Sequence, residues 1–235
     1  MKKLAISTLS LIRTPKERGV VFSTITELNK LQIPIIVVDG GSSEQDKKEI
    51  SSFSNVKLFE TDRGLAHQLI LSHQKAAKQA EFLFYLHSDK LSFVKHNCQK
   101  MIDFYDQLSN QRVLIPVRSE RSLNTYPPYQ RKVEEFLNFF IGDYVGSKTD
   151  YYTGPKIYPS SLVKYLDRLT GNVGWGIEAY LYVIAKRLDL PFDFIDCEMS
   201  APKDIESEEK AKLYRLQIAK WQIEGFTQGL KVKLS

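Results

Sequence analysis

Short apolar runs alternate with amphipathic segments along the first half of the chain. The runs predict five β-strands, over residues 4–9, 33–40, 56–61, 81–88 and 113–118. Because the runs are continuous, they are typical of strands covered on both faces of a parallel sheet. The segments between them predict helices, with Pro15, Ser43 and Ser92 at or near the helix starts. This alternation favours an α/β fold, a Rossmann-like α/β/α sandwich around a mostly parallel mixed sheet.

The second half of the chain is less regular. It predicts an aromatic-rich helix over 129–145, an extended stretch over 149–159, a helix over 177–188, a strand over 192–199 and a final helix over 206–224. In the final helix, Ala211, Tyr214, Ile218 and Trp221 fall on one face. The sequence has no internal repeat, no low-complexity tract and no Ser/Gly-rich linker, so we expect a single domain over 1–235.

The bulk properties of the chain exclude several classes of protein. A chain of 235 residues with 43% hydrophobic and 26% charged residues suits a soluble globular domain. The net charge of +5 comes from scattered Lys and Arg, which argues against nucleic-acid binding. No apolar run reaches the about 20 residues of a membrane span, and the first residues lack the features of a signal peptide. We therefore expect a cytoplasmic protein in which Cys98 and Cys197 are reduced thiols.

The Phe-rich face of segment 129–145 leaves two interpretations open. It either packs in the core, which we favour, or makes a peripheral contact with a lipid surface. A homo-oligomer is also compatible with the sequence.

Polar residues follow the predicted second and third strands. The second strand ends in VVDGGSSE, where Asp39 can accept hydrogen bonds from a base or a ribose and Gly40 allows a ligand to approach the backbone. The alternative is an ordinary Asp-Gly turn. The third strand is followed by TDRGLAHQ, where Arg63 and Gly64 open a helix at a place suited to a phosphate. The alternative there is a solvated helix cap.

The predicted fourth strand ends in His87, Ser88 and Asp89. A carboxylate at this point suits Mg²⁺ or Mn²⁺, which favour oxygen ligands and are readily shared with phosphate oxygens. The alternative is an aspartate that caps the following helix. Other chemistries lack their motifs, since the chain has no Walker-type phosphate loop, no G-x-G-x-x-G and no G-x-S-x-G.

Together these stretches resemble nucleotide-sugar-dependent glycosyltransferases of the glycosyltransferase A fold, in particular family-two-like members. VVDGGSSE is similar to that family's VVDDGSTD, and YLHSDK is similar to its D-x-D region in the variant form HAD. The stretch from Gly64 to Asp89 is similar to G-R-A-x-Q-M-N-A-G…LLFLHAD, with matches at Gly64 and Gln68. The resemblance departs at Leu65, where an Arg is usual, and Arg63 is the candidate to replace it.

The second half resembles the acceptor half of retaining glucosyl- and mannosyltransferases that act on phosphoglycerate or glycerate. Their pattern of L-x-G-E followed by G-Y-G-[VI]-E is matched at five positions: Gly154, Gly174, Trp175, Gly176 and Glu178. Pro155 replaces the expected Glu, and no histidine follows His96, although a late histidine often completes the metal site in those enzymes. Asp196, Glu198 or water would have to serve instead.

The resemblance implies a metal-dependent transfer of a sugar from a nucleotide diphosphate sugar to an unidentified acceptor. Residues 1–118 would form the donor half and 119–235 the acceptor half. Donor-binding candidates are Thr8, Asp39, Gly40, Arg63, Gly64, Gln68, His87, Ser88 and Asp89, the last also being the ligand of Mg²⁺ or Mn²⁺. Gly154, Trp175 and Gly176 are acceptor-binding candidates, and Glu178 is the catalytic candidate that orients or deprotonates the acceptor.

Two other functions stay open at this point. The departures at Leu65 and Pro155 and the missing histidine favour a catalytically degenerate module that binds nucleotide sugars. A sugar-phosphate nucleotidyltransferase is less favoured, because the chain has STLSLIRTPKERG where such enzymes carry a glycine-rich loop after the first strand.

Overall fold

The computed structural model describes residues 2–201 and 208–234. Strands in these residues are β1 (Leu4–Ser10), β2 (Ile35–Asp39), β3 (Val56–Glu60), β4 (Phe82–Tyr85), β5 (Val113–Arg118), β6 (Lys156–Pro159) and β7 (Phe192–Cys197). Helices are α1 (Pro15–Asn29), α2 (Glu44–Ser51), α3 (Leu65–Ala77), α4 (Leu91–Gln107), α5 (Glu120–Leu123), α6 (Pro128–Val145), α7 (Ile177–Arg187) and α8 (Glu208–Lys231). Two 3-10 segments cover Ser160–Arg168 and Gly174–Gly176.

The predicted strands and helices are confirmed in order, and some of their boundaries are corrected. Ser43 is the N-cap of α2, where its hydroxyl accepts a hydrogen bond from the Asp46 amide at 3.2 Å. Ser92 is not a cap, because α4 already begins at Leu91. The fourth strand ends at Tyr85 rather than at residue 88, so the polar residues that follow belong to a turn. Residues 206 and 207 of the predicted final helix lie outside the described residues.

The strands form one mixed sheet in the order β3-β2-β1-β4-β6-β5-β7. The first four are parallel to one another, while β6 is antiparallel to β4 and to β5. The predicted mixed sheet is therefore confirmed. The register places Ser10 beside Asp39, and Asp39 beside Glu60. The carboxyl ends of these strands consequently meet at one edge of the sheet, which is where ligands bind in open α/β folds.

Helices cover both faces of the parallel strands. α3 packs on β1, β2 and β4, whereas α1 contacts α2 and α4. Connections between parallel strands are right-handed in nearly all proteins. The helices α1 and α2, which lead from β1 outward to β3, therefore lie on one face, and α3, which leads back to β4, lies on the other. This is the α/β/α layering that the sequence predicted.

The chain forms two compact units. The first comprises the described residues of Met1–Leu114 and Gly154–Lys164, and the second comprises those of Ile115–Thr153 and Tyr165–Ser235. The sequence placed 154–164 in the second half, but these residues belong to the first unit because β6 pairs with β4. None of the described helices has the length and apolar character that crossing a membrane requires.

Helices α6, α7 and α8 pack together in the second unit. On α6, Leu137 and Ile141 are buried, and the Phe140 ring lies 4.4 Å from that of Phe226 on α8. Phe136 and Phe139 are 55% and 65% exposed. The expectation of a core helix is therefore met by one face of α6 and not by the other.

Two glycines bring the start of α7 and the middle of α8 into close contact. A Cβ atom at Gly176 would overlap the carbonyl oxygen of Trp221, and one at Gly225 would overlap the carbonyl oxygen of Gly176. The buried residues of α8 accordingly include Gln222 and Phe226. Of the four residues that the sequence placed on one face of this helix, Tyr214 is exposed, whereas Ala211, Ile218 and Trp221 are half-buried. The Trp221 ring lies where a Cβ atom at Gly174 would be, so the predicted face is wrong at Tyr214 and not at Trp221.

We expect Gly176→Ala to lower the free energy of unfolding by about 3 kcal/mol, because backbone atoms cannot move aside as a flexible side chain can. Gly19→Ala is the matched control. Gly19 is exposed in α1 with no atom within 4 Å of an added Cβ, so the same change there should stabilise the protein by about 0.5–1 kcal/mol. Urea unfolding followed by tryptophan fluorescence measures both. Equal small effects at the two positions would contradict the close packing of α7 on α8.

Candidate functional site

The loops at the carboxyl edge of the sheet are joined through the end of β1. The Ser10 carbonyl accepts a hydrogen bond from the Gly40 amide at 2.9 Å and one from Gln68 Nε2 at 3.3 Å. The neighbouring Leu9 carbonyl accepts one from the Ser88 hydroxyl at 2.5 Å. Segments that follow β2, β3 and β4 therefore meet at two consecutive residues of β1. The convergence of these loops, which the sequence could only suggest, is a feature of the first unit.

Asp39 is buried at the end of β2 and holds the loop that follows it. Its Oδ1 accepts hydrogen bonds from the amides of Gly41 and Ser42 at 2.8 and 2.7 Å. Its Oδ2 accepts them from the hydroxyls of Ser10 and Ser42 at 2.7 and 2.5 Å. A nucleoside could bind this carboxylate only by replacing one of these bonds. The role of Asp39 as a direct nucleoside ligand stays a prediction.

The start of α3 is open and lies beside the Asp39 loop. Gly64 is the N-cap with φ of 85°, a conformation that favours glycine, and it has no side chain to accept from the first amides of the helix. Arg63 is exposed next to it. Gln68 packs directly against Gly40, where an added Cβ would overlap the Gln68 amide. Uncapped amides and an arginine at one helix start make a site suited to a phosphate.

Asp89 follows β4 and reaches solvent. Its side chain is 62% exposed and lies 3.5 Å from the Lys90 ammonium. Partial burial acts to raise the pKa of the Asp89 carboxyl, but the charge of Lys90 lowers it, and the net pKa is below its ordinary value. The carboxylate is therefore ionised at neutral pH and accessible. Ser88, by contrast, is buried, and its hydroxyl donates a hydrogen bond to the Leu9 carbonyl.

His87 is held between β4 and the segment before β6. Its Nε2 lies 2.7 Å from the Tyr85 hydroxyl. A Cβ at Gly154, whose φ is +90°, would lie 3.8 Å from both the His87 ring and the Lys90 side chain. Burial lowers the pKa of His87 to about 4, opposed by Asp89 and assisted by Lys90 and Lys156, so its imidazole is neutral at pH 7. Gly154, an acceptor candidate by sequence, thus lies next to donor candidates in the first unit.

The sequence did not predict a layer of buried polar residues close to Tyr85 and His87. His73 lies 3.3 Å from the Ser7 hydroxyl and 3.2 Å from the Ser72 hydroxyl through its Nδ1. Its ring centroid is 4.9 Å from that of Tyr85. Lys156 is 1% exposed, and its ammonium lies 5.7 Å from the Tyr85 ring centroid. The one signal for this layer was a lysine within the apolar stretch GPKIYP, which is easily taken for a solvated residue.

His73 should make stability depend on pH. Burial lowers its pKa to about 3, assisted by Lys156 and His87 and opposed by a backbone hydrogen bond to Leu69. Between its ordinary value of about 6.5 and about 3 the unfolded chain binds a proton that the folded chain does not. The free energy of unfolding therefore falls as the pH falls, by up to about 1.4 kcal/mol per pH unit from this group.

We expect His73→Gln to remove the part of the pH dependence of the unfolding free energy that comes from His73. The stability curves of the wild type and the variant should approach or cross as the pH falls from 6.5, because groups common to both proteins cancel in the difference. Urea unfolding at several pH values measures this. Curves that stay parallel between pH 6.5 and 4 would mean that His73 is protonated in the folded protein.

The other predicted residues occupy varied positions. Thr8 is buried in the middle of β1, and its Oγ1 has no hydrogen-bond partner among the described residues. In the second unit, Trp175 donates from its indole nitrogen to the Tyr214 hydroxyl at 2.8 Å. Gly176 is explained by its contact with α8. Glu178 is buried in the first turn of α7. The binding and catalytic roles of these residues stay predictions.

The residues of the first unit fit a divalent cation only in one manner. No group of three or more His, Cys, Asp or Glu side chains within 2–201 and 208–234 is arranged to hold a metal ion. Asp89 offers a single ionised and exposed carboxylate. Mg²⁺ is commonly bound by one or two carboxylates together with substrate phosphates and water. Asp89 therefore fits a cation that arrives with a diphosphate, and not a site that the protein builds alone.

Comparison with known proteins gives a fold and no family. No protein-family model and no curated protein matches this sequence. Mannosyl-3-phosphoglycerate synthase from Rubrobacter xylanophilus is similar in structure with a TM-score of 0.68 at 11% identity, over 100% of this chain and 77% of that one. Glucosyl-3-phosphoglycerate synthase from Mycobacterium tuberculosis, solved with UDP, has a TM-score of 0.65 at 16% identity, over 95% of this chain and 80% of that one.

A second structure of the Mycobacterium tuberculosis enzyme, with Mn²⁺, UDP-glucose and phosphoglyceric acid, has a TM-score of 0.67 at 14% identity, over 96% of this chain and 80% of that one. At such low identity the likeness bears on the fold. The predicted fold class, an α/β fold of the glycosyltransferase A type, is confirmed.

Proposed function

We propose that this protein is a glycosyltransferase that moves a sugar from a nucleotide diphosphate sugar to an acceptor hydroxyl. The observation that carries the proposal is the meeting of three loops on Leu9 and Ser10, at the carboxyl edge of a glycosyltransferase A sheet. Among the structural neighbours, glucosyl-3-phosphoglycerate synthase was solved with UDP in one structure and with Mn²⁺ and UDP-glucose in another. We infer the divalent cation, the class of sugar donor and the transfer reaction from this structural similarity and from the chemistry of the loops.

In this proposal the diphosphate lies at the start of α3. The uncapped amides after Gly64 and the guanidinium of Arg63 would bind its phosphate oxygens. The Asp39 loop, with Gly40 and Gln68 packed against each other, would form the wall on which the nucleoside lies. Positive charge at one helix start complements the charge of the ligand, as a leaving diphosphate requires.

Asp89 is the residue that would hold Mg²⁺ or Mn²⁺ in this proposal. A bound divalent cation would stabilise the negative charge on the departing nucleoside diphosphate. Lys90, 3.5 Å from Asp89, would add a second positive charge at the same corner. His87 and Ser88 would fix the turn on which Asp89 stands, through Tyr85 and the Leu9 carbonyl.

The transfer breaks the bond between the anomeric carbon and the diphosphate oxygen, which keeps the electron pair. A bond forms between the anomeric carbon and the acceptor oxygen, whose proton passes to a base. Glu178 is our candidate to orient the acceptor hydroxyl or to take that proton. Which of the two it does depends on whether the anomeric configuration is retained or inverted, and the proposal covers both.

One observation favours a second function, that of a module that binds nucleotide sugars without turnover. Leu65 stands in the first turn of α3 where the resembled transferases carry an arginine, and Arg63 precedes the helix instead. If Arg63 cannot reach the diphosphate, the donor would bind but the leaving group would lack a charge that assists its departure.

A screen of nucleotide sugars tests the proposal. UDP- and GDP-sugars, each with Mn²⁺, with Mg²⁺ and with EDTA, are assayed for a rise in melting temperature and then for nucleoside diphosphate release. We expect at least one donor to stabilise the protein in a metal-dependent manner and to be consumed. Stabilisation without consumption, with every acceptor class offered, would favour the binding module. No stabilisation by any donor would refute both functions.

A further inference from the structure

One face of α7 lies against the end of the segment that leads out of α6. Tyr182 follows Glu178 by one helical turn, so both side chains project from the same face of α7. The Tyr182 hydroxyl donates to the Tyr151 carbonyl at 2.9 Å, and the rings of Tyr151 and Tyr182 lie 5.5 Å apart. The segment 150–153 therefore runs along the face of α7 that carries Glu178.

Arg118, a buried cation that contacts this segment through Asp150, is engaged by carboxylates. Arg118 is buried and donates from Nε and from one terminal nitrogen to Asp150, at 2.6 and 2.9 Å. The same terminal nitrogen donates to Glu134 at 2.7 Å. Burial acts to lower the pKa of Arg118, but Asp150 and Glu134 raise it above its ordinary value. Arg215, whose side chain is 31% exposed, lies 3.4 Å from the other carboxylate oxygen of Glu134, so both described guanidinium groups of this cluster are paired to carboxylates.

Glu178 adds a further carboxylate to the same region. It is 7% exposed, and its charge acts on both Tyr152 and Tyr182. Burial raises the pKa of the Tyr152 phenol well above its ordinary value, with Glu178 and Glu134 adding to the effect. The phenol therefore stays protonated, as a neutral group that can donate a hydrogen bond.

Two neighbouring hydroxyls in this segment lack partners. The oxygen atoms of Tyr152 and Thr153 are buried and have no hydrogen-bond partner among the described residues. Thr153 as a whole is only 7% exposed. Buried polar atoms are paired in most proteins, and an exception points to a water or a ligand that completes it. This observation does not depend on the charges described above. The two unpaired hydroxyls indicate that a polar ligand binds there.

We propose that the acceptor of this protein is an uncharged hydroxyl compound, such as a sugar or a polyol, and not a phosphorylated acid like the acceptor of its structural neighbours. The inference rests on the proposed function and on the assignment of the acceptor to the face of α7 that carries Glu178. The hydroxyls of Tyr152 and Thr153 can donate hydrogen bonds to a ligand hydroxyl, and the carboxylate of Glu178 can accept one from it. A phosphate placed there would meet the charge of Glu178, while the guanidinium groups of Arg118 and Arg215 are already paired to carboxylates.

The test uses the wild-type protein with Mn²⁺ and the donor found in the screen. Nucleoside diphosphate release is measured with 3-phosphoglycerate, glycerate, glycerol, glucose, mannose and their methyl glycosides. We expect at least one uncharged compound to have a kcat/KM at least about 10-fold above that of 3-phosphoglycerate, since one repulsive charge contact is worth about that factor. A higher kcat/KM for 3-phosphoglycerate than for every uncharged compound would overturn the inference.

Tyr152→Phe separates a ligand role from a structural one. Its hydroxyl has no partner in the described residues, so the variant should keep the melting temperature while its KM for the uncharged acceptor rises about 10-fold. Tyr182→Phe is the matched control. That change removes the hydrogen bond to the Tyr151 carbonyl, so it should lower the melting temperature. An unchanged KM in Tyr152→Phe would overturn the assignment of this hydroxyl.

The failures of the two proposals are distinguishable. If a donor stabilises the protein but no uncharged compound accepts the sugar, the acceptor inference is wrong while the donor site stands. If no donor binds, the proposed function is wrong and the acceptor inference falls with it.

Discussion

Asp89→Ala should lower kcat for sugar transfer by about 1,000-fold while leaving the fold intact. The side chain is 62% exposed, so its removal should change the melting temperature little. Loss of the carboxylate removes the one protein ligand that we assign to the cation. Stabilisation of a leaving diphosphate by a metal is worth several kcal/mol, and each 1.36 kcal/mol is about a factor of ten in rate.

Asp103→Ala is the control for this variant. Asp103 is also an exposed carboxylate of the first unit, but it stands on α4 about 20 Å along the helix from its start. It should retain wild-type kcat. Metal dependence of donor binding, followed by calorimetry with and without Mn²⁺, should disappear in Asp89→Ala and persist in Asp103→Ala. Equal activity of the two variants would remove Asp89 from the site.

Arg118→Met should lower the free energy of unfolding by about 3–5 kcal/mol. The guanidinium is buried and makes three side-chain hydrogen bonds to Asp150 and Glu134. Removing one partner of a buried ion pair leaves uncompensated charge, which costs far more than the intact pair contributes. Asn138, which donates to Asp150 at 3.2 Å, cannot replace a full positive charge.

Urea unfolding followed by tryptophan fluorescence measures this loss, because Trp175 and Trp221 both lie in the second unit. Arg121→Met is the matched control, since Arg121 is exposed on α5 and its loss should change stability by less than about 0.5 kcal/mol. If Arg118→Met cost under about 1 kcal/mol, the carboxylates would have to reach water, and the acidic character of this region would be lower than we infer.

The sequence predicted the parts of the fold that depend on local pattern. Continuous apolar runs located the strands of the sheet, and the turn and cap residues that follow them located the loops at its carboxyl edge. Because the first strands are parallel, the positions of residues 39, 64 and 89 at one edge of the sheet could be expected from the sequence alone. Ser43 could be recognised as a cap because its hydroxyl serves an amide three residues away.

The sequence could not predict features that depend on distant parts of the chain. Lys156 is buried because β6 pairs with β4, a contact between segments about 70 residues apart. The covered face of α8 depends on Gly176 and Gly225, which have no side chains to contribute to an apolar pattern. Asp39 looked like a ligand-binding acid, yet the four described hydrogen bonds to its carboxylate come from Ser10 and its own loop.

The most direct test of the account is the position of Mn²⁺ in crystals grown with a nucleoside diphosphate, located by anomalous diffraction. We predict a manganese peak about 2.1 Å from the Asp89 carboxylate, shared with phosphate oxygens, and a diphosphate whose other oxygens contact the first amides of α3. A diphosphate bound away from the start of α3, or a manganese ion held elsewhere while Asp89 stays in solvent, would contradict the proposed donor site.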